Sequence, residues 1–250
     1  MIEIEGVRHQ VGGAPILHGI DLSIPAGGLT ALIGPNGAGK STLLSLVARL
    51  APLQAGRITV GGLEIGRAPD RDVARRLAIM PQSAEVSARV TVRELVGFGR
   101  HPWSRGRPGP EDRAAVEAAI ARFDLAGLQD RFLDTLSGGQ RQRAFVAMSF
   151  AQSTDVLLLD EPLNNLDIAA ARSLMQELRR LAQEDGKTVV VVMHDINAAA
   201  AYADRVIAMK DGRIAVDGPP DAAVTPALLR DVFGAGAEVA RVSGRPVVLI

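Results

Sequence analysis

The sequence predicts an α/β fold built on a parallel sheet, and three stretches carry that prediction. First, the apolar run Leu29-Thr30-Ala31-Leu32-Ile33 leads through a glycine-rich loop into the apolar segment Leu43-Leu44-Ser45-Leu46-Val47, the order strand, loop, helix. Second, Val156-Leu157-Leu158-Leu159 and Thr188-Val189-Val190-Val191-Val192-Met193 are unbroken apolar runs, as in strands buried on both faces. Third, strand and helix patterns alternate from about residue 155 onward, as crossover connections between parallel strands require.

Taken in order, residues 1 to about 80 hold short strands at 2–7, 17–24, 29–33 and 57–60, with a further one at 77–80 before Pro81 and Gln82. The region from about 84 to 136 loses the strand pattern. Thr91 followed three residues later by Glu94 reads as a capping box opening a helix. Pro110-Glu111-Asp112-Arg113 opens a second helix that carries Val116, Ile120 and Phe123 on one face. Between them, residues 100–108 read as an exposed basic loop holding Trp103, the sole tryptophan, a composition suited to a partner-binding surface. Ser137-Gly138-Gly139 opens another helix, expected from Gln140 to about Ala151. After Gly218 come a proline-opened helix at 226–233 and a hairpin of 237–242 with 246–250. The implied division is one domain: a strand-bearing part at 1–83 and 155–217, a helical part at 84–154, and a tail at 218–250. No internal repeat or low-complexity linker interrupts it.

The loop itself carries chemistry. Gly34-Pro35-Asn36-Gly37-Ala38-Gly39-Lys40-Ser41-Thr42 is a G-x-x-x-x-G-K-[ST] phosphate loop in its proper setting between strand and helix. Its glycines let backbone N–H groups converge on a phosphate chain, and the following helix adds its positive end. Lys40 is placed to reach the outer phosphates and the Ser41 hydroxyl to ligate Mg²⁺. Asp160 and Glu161 stand at the C-terminal end of a buried strand, where α/β sheets place their ligands. Asp160 suits the Mg²⁺ shell, through water, and Glu161 suits a general base aiming water at a γ-phosphate. An acidic pair after a strand also caps turns; what favours catalysis is its company in the chain. Leu136-Ser137-Gly138-Gly139-Gln140 offers a second anion-binding helix start, for which one chain has little use but two head-to-tail chains have a clear one.

Together these segments resemble the ATP-binding cassette (ABC) proteins, over nearly the whole chain. The resemblance implies a phosphate-loop ATPase with a RecA-like mixed sheet core, an antiparallel β subdomain and an inserted α-helical subdomain. It implies ATP and Mg²⁺ as ligands and a homodimer in which Ser137, Gly138, Gly139 and Gln140 of one chain serve the other's nucleotide. Asn165-Leu166-Asp167 resembles the D-loop, His194 the switch histidine that senses the γ-phosphate, and Gln82 the Q-loop glutamine, an Mg²⁺ ligand whose loop touches the membrane partner. Most cassettes stack an aromatic residue on adenine just before the second strand. Here that position is Val11-Gly12-Gly13, where Val11 offers an apolar contact and His9 a ring.

Softer features narrow the resemblance: 45–50 after the phosphate loop, 95–102, 138–148, and Pro162-Leu163-Asn164-Asn165-Leu166-Asp167. They look like the ATPase subunit of a bacterial iron–siderophore importer of petrobactin, enterobactin or vibriobactin type, in the group that includes haem and vitamin B12 uptake ATPases. Implied partners are two copies of a transmembrane permease and, indirectly, a periplasmic or lipid-anchored siderophore-binding protein. The alternatives are a haem, cobalamin or other metal-chelate importer and, less favoured, a soluble cassette. The implied location is peripheral, on the cytoplasmic face of the cell (inner) membrane.

Composition sets the outer limits. A chain of 250 residues with 47% hydrophobic content can bury a substantial core. The formal net charge is zero, so no basic surface argues for nucleic acid. With no cysteine, disulfide and thiol chemistry are excluded. Residues 1–5 show neither a basic start nor a signal-length apolar stretch, and no run of about eighteen apolar residues occurs, so a membrane role is expected to pass through partner subunits.

Overall fold

The computed structural model describes residues 1–82 and 89–249. The opening residues of the expected helical subdomain, 84–88, and the hairpin's last residue, Ile250, lie outside the described residues.

The chain opens with β1 (Ile2–Val11), β2 (Ala14–Ile24) and β3 (Leu29–Ile33), then α1 (Lys40–Val47), β4 (Ala55–Val60) and β5 (Leu63–Glu64). Next come α2 (Asp70–Arg76) and β6 (Leu77–Met80). A helical stretch follows: α3 (Val92–Phe98), α4 (His101–Ser104), α5 (Pro110–Arg122) and α6 (Gly138–Ala151). The α/β alternation resumes with β7 (Val156–Asp160), α7 (Ile168–Gln183), β8 (Thr188–Val192), α8 (Ile196–Tyr202), β9 (Arg205–Lys210) and β10 (Arg213–Gly218). The chain ends with α9 (Pro220–Ala223), α10 (Pro226–Phe233), β11 (Glu238–Val242) and β12 (Arg245–Leu249).

The central sheet has six strands in the order β10-β9-β3-β8-β7-β6, parallel except for β10, which turns back on β9. It is a mixed sheet, as the resemblance implies. Alternate residues of its middle strands go to opposite sides. Ala31, Ile33, Leu157, Leu159, Val189 and Val191 face a core shared with α3, α5, α6 and α7. Leu32, Leu158, Val190, Val192, Ile207 and Met209 face a second core, closed by α1 and by β1, β2 and β4 of an antiparallel sheet ordered β2-β1-β4-β5. Burial on both faces is why these strands read as unbroken apolar runs.

Local signals hold where the chemistry is local. Thr91 caps α3 by accepting from the Glu94 N–H, and Glu94 reaches back to Thr91, completing the capping box. Val116, Ile120 and Phe123 are buried as expected of α5. The strands β1 and β2 run further than the apolar patterns suggest, because cross-strand pairing extends them to Val11 and Ala14. Helix α6 starts at Gly138, two residues before the expected Gln140, because Ser137 rather than Gly139 is its N-cap.

Residues 100–108 depart from the expected exposed loop. His101 to Ser104 form a helical turn, and Trp103 is half-buried: its Nε1 donates to the Gln152 carbonyl at 2.7 Å, with the Arg75 guanidinium 4.6 Å from the ring centroid. The tryptophan ties α4 to α2 and to the end of α6 instead of standing free for a partner. Beside it, Arg100 donates to Asp112 at 2.9 Å and to the Ala151 carbonyl and the Ser153 hydroxyl, a buried ion pair joining three helices. The signal for such a tie, an indole N–H meeting a carbonyl 49 residues away, is not local.

Candidate functional site

The strand ends gather the site. The Gly34 backbone lies so close to the Met209 carbonyl that a Cβ would come within 2.2 Å of that oxygen, and its φ of +146° suits glycine alone. Gly39, also at positive φ, is the N-cap of α1 and has no side-chain cap bond, so the helix start keeps its donors for a ligand. Lys40 is buried, and its Nζ donates to the Gly34 and Pro35 carbonyls at 2.8 and 2.9 Å. Burial pulls its pKa down, opposed by the charges of Glu161 and Asp160. The Ser41 hydroxyl donates to Asp160 Oδ1 at 3.1 Å. Asp160 itself is buried, which raises its carboxyl pKa despite that bond.

Glu161 is the centre of a side-chain network. Its N–H continues the sheet by donating to the Val192 carbonyl, while its φ of +54° turns the chain sharply out of β7. His194 Nε2 lies 2.6 Å from Oε1; Gln82 Nε2 and Asn164 Nδ2 donate to Oε2 at 2.9 and 2.6 Å. Burial works against ionisation of this carboxyl, but the bonds from Asn164 and His194, the imidazole's charge and Gln82 outweigh it and hold its pKa below the ordinary range.

A cavity of about 470 Å³ opens over these groups. Asn36, Gly37, Gly39, Lys40, Ser41 and Thr42 line it from the loop side, with Gln82, Glu161 and His194 opposite. Gly34, Pro35, Ala38 and Asp160 complete the loop and strand end beneath. Residues 137–140 do not line this cavity. The Ser137 hydroxyl accepts from the Gln140 N–H, and a Cβ on Gly138 or Gly139 would meet Asn165 or Leu166 at 3.1 Å, so this turn packs on residues 165–166 of its own chain. Asp167 caps α7 by accepting from the Ala170 N–H.

One expectation changes near β1. His9 is buried, only 5% exposed, and presents no ring at the surface. Val11 is exposed but does not line the cavity; Ile16, from the returning strand β2, supplies its apolar wall. Sequence reasoning also passed over Asn164, whose only signal is its place three residues after Glu161, in the turn that Glu161 begins.

A phosphate loop at the end of a parallel strand, faced by paired carboxylates, a glutamine and a histidine from neighbouring strands, defines a nucleoside-triphosphate-hydrolysing domain. The chain belongs to the ABC transporter family, whose family model matches residues 17–164. It is 45% identical over 249 residues to the petrobactin import ATP-binding protein FatE of Bacillus anthracis, covering all of both chains. It is 43% identical over 234 residues to the hemin import ATP-binding protein HmuV of Streptomyces coelicolor, over 94% of this chain and 83% of that one. Among solved structures, the dimeric ATP-binding cassette MJ0796 bound to ADP and Pi superimposes with a TM-score of 0.79 at 28% identity, covering 88% of this chain and 98% of that one. The protein is thus an ABC-type ATPase that binds ATP. No helix among the described residues is long and apolar enough to cross a membrane.

Proposed function

We propose that this chain is the ATP-hydrolysing subunit that energises import of a ferric siderophore through a membrane permease. The observation that carries the catalytic half is the Glu161 carboxylate, held ionised by Asn164, His194 and Gln82 at the wall of the phosphate-loop cavity. The loop N–H groups and Lys40 hold the phosphates of ATP, Lys40 exchanging its two carbonyl partners for them. Glu161 orients the attacking water and accepts its proton, and His194 bonds the γ-phosphate. Ser41, Asp160 and Gln82 are oxygen donors of the kind Mg²⁺ takes together with phosphates, and they fit that ion; when bound, it neutralises charge on the β- and γ-phosphates. Gln82 spends its amide N–H on Glu161, leaving its carbonyl oxygen for this role.

The site is completed by a second copy. Ser137, Gly138, Gly139 and Gln140 stand away from their own phosphate cavity, and in a head-to-tail dimer they face the partner's nucleotide, with Asp167 holding the crossing loop. The permease docks at a groove of about 260 Å³ lined by Ala48, Arg49, Leu50, Asp70 and Ile79, where Leu50 is 58% exposed. In this reading the ATPase works at the cytoplasmic face of the membrane, served from outside by a siderophore-binding protein. The division into core, helical subdomain and tail belongs to the same reading.

Cargo rests on the petrobactin relative; the hemin relative favours haem as the second reading. Uptake of labelled ferric siderophore and of haem, in cells that have this transporter alone, separates them. Lys40→Ala, present at wild-type level, is expected to abolish uptake of the true cargo, because phosphate binding is lost. Siderophore uptake that survives Lys40→Ala overturns the proposal, and loss of haem uptake alone replaces siderophore by haem.

A further inference from the structure

His194 sits in the short joint between β8, which ends at Val192, and α8, which begins at Ile196. Its side chain is 45% exposed, so packing does little to hold it. Its position at Glu161 is set by the backbone on either side. On the strand side, the Met193 N–H donates to the Leu32 carbonyl. On the helix side, Asp195 caps α8 by accepting from the Asn197 and Ala198 N–H groups.

The helix in turn is held by the C-terminal hairpin. Asn197 Nδ2 donates to the Val248 carbonyl at 3.1 Å, and the Val248 N–H donates to Asn197 Oδ1 at 2.7 Å. The side-chain amide thus pairs with the free edge of β12 as a strand residue would, using one donor and one acceptor. At the other end of α8, Arg245 Nη1 donates to the Ala200 carbonyl at 2.9 Å, a cation at a helix C-terminus. Ala200, Val224, Leu229 and Val248 form a small separate core beneath these bonds.

We propose that Asn197 is a positioning residue for ATP hydrolysis: through its two bonds to Val248 it lets the C-terminal hairpin fix α8, and with it His194 against Glu161. This rests on the reading of His194 as the γ-phosphate contact. The hairpin is then a strut of the catalytic joint. Only an amide of this length satisfies both Val248 groups; a carboxylate keeps the acceptor but turns a charge toward a carbonyl.

The test is Asn197→Asp in the full chain, a near-isosteric change at a half-buried site. The expected result is a fall of roughly tenfold in kcat, well within what small misplacement of a catalytic group costs. KM for ATP should stay within about twofold, since the phosphate loop is untouched. In the nucleotide-free protein, the His194 ring resonances should move while those of His18 and His101 stay. On a His194→Ala background, read by single-turnover hydrolysis, Asn197→Asp should add no further loss. An unmoved His194 ring, or the same loss repeated on that background, overturns the inference. A slowed His194→Ala beside a full-rate Asn197→Asp sinks this inference alone. A full-rate His194→Ala sinks the reading of His194 on which it stands.

Discussion

At the residue scale, Glu161 shows how one side chain is prepared by its surroundings. The positive φ at Glu161 is unfavourable for a non-glycine residue and is held by the sheet bond to Val192 on one side and the Asn164 turn on the other. Three neighbours donate to its carboxylate or lie within bonding distance, and together they keep it ionised through the neutral range. Glu161→Gln preserves shape but removes the proton acceptor. ATP should therefore remain bound while turnover falls on the order of a hundredfold or more, the range of general-base catalysis. Nucleotide retained through desalting, with phosphate release measured in parallel, checks this. Because the folded carboxyl titrates below its ordinary value, the loss should be the same at pH 6 and pH 8.

At the element scale, the buried Arg100–Asp112 pair decides how α3, α5 and α6 meet. Their side chains are 9% and 12% exposed, and Asp112 also accepts from the Gly109 N–H at the start of α5. That N–H is the leading cause of the low Asp112 pKa, with Arg100 adding to it against the effect of burial. Asp112→Asn leaves the guanidinium buried without its charge partner and should cost on the order of 3 kcal/mol in urea unfolding at pH 7. A carboxyl depressed by folding stabilises fully above its unfolded value of about 4, and this contribution disappears as pH falls through the folded value. Wild-type stability should therefore drop from pH 5 to pH 3 more steeply than that of Asp112→Asn. Equal slopes would mean that Asp112 is not a source of the acid sensitivity.

At the scale of the whole molecule, residues 137–140 lie apart from the cavity of their own chain, and in the proposed head-to-tail dimer they close the partner's site. Nucleotide bound between two chains stabilises the dimer by mass action. Glu161→Gln, which should hold ATP without turning it over, is expected to double its mass from 26.3 kDa in light scattering when ATP is added, and to remain a monomer without it. A dimer of equal stability with and without ATP would place the interface elsewhere. The antiparallel sheet and the helical stretch share the six-stranded sheet as a common wall, through its two separate cores. Gln82, just beyond β6, bonds Glu161 at the end of β7, so the two strand ends meet at the cavity.

Contiguous chemistry is what the sequence by itself determined here. The phosphate loop, the buried strands that end in Asp160-Glu161 and His194, the capping box at Thr91 and the α5 core face each depend on neighbours within a few residues. Spacing alone therefore makes them legible. The tertiary structure decided what depends on distant partners. Trp103 reads as a free surface residue until the Gln152 carbonyl takes its N–H. His9 reads as a ring available to a base until the fold buries it, while Ile16, unremarkable in sequence, lines the cavity. Asn164 and Asn197 carry no local mark of their tasks, because a side-chain amide acquires a role only from what folding brings opposite it: a carboxylate in one case, the open edge of a C-terminal strand in the other.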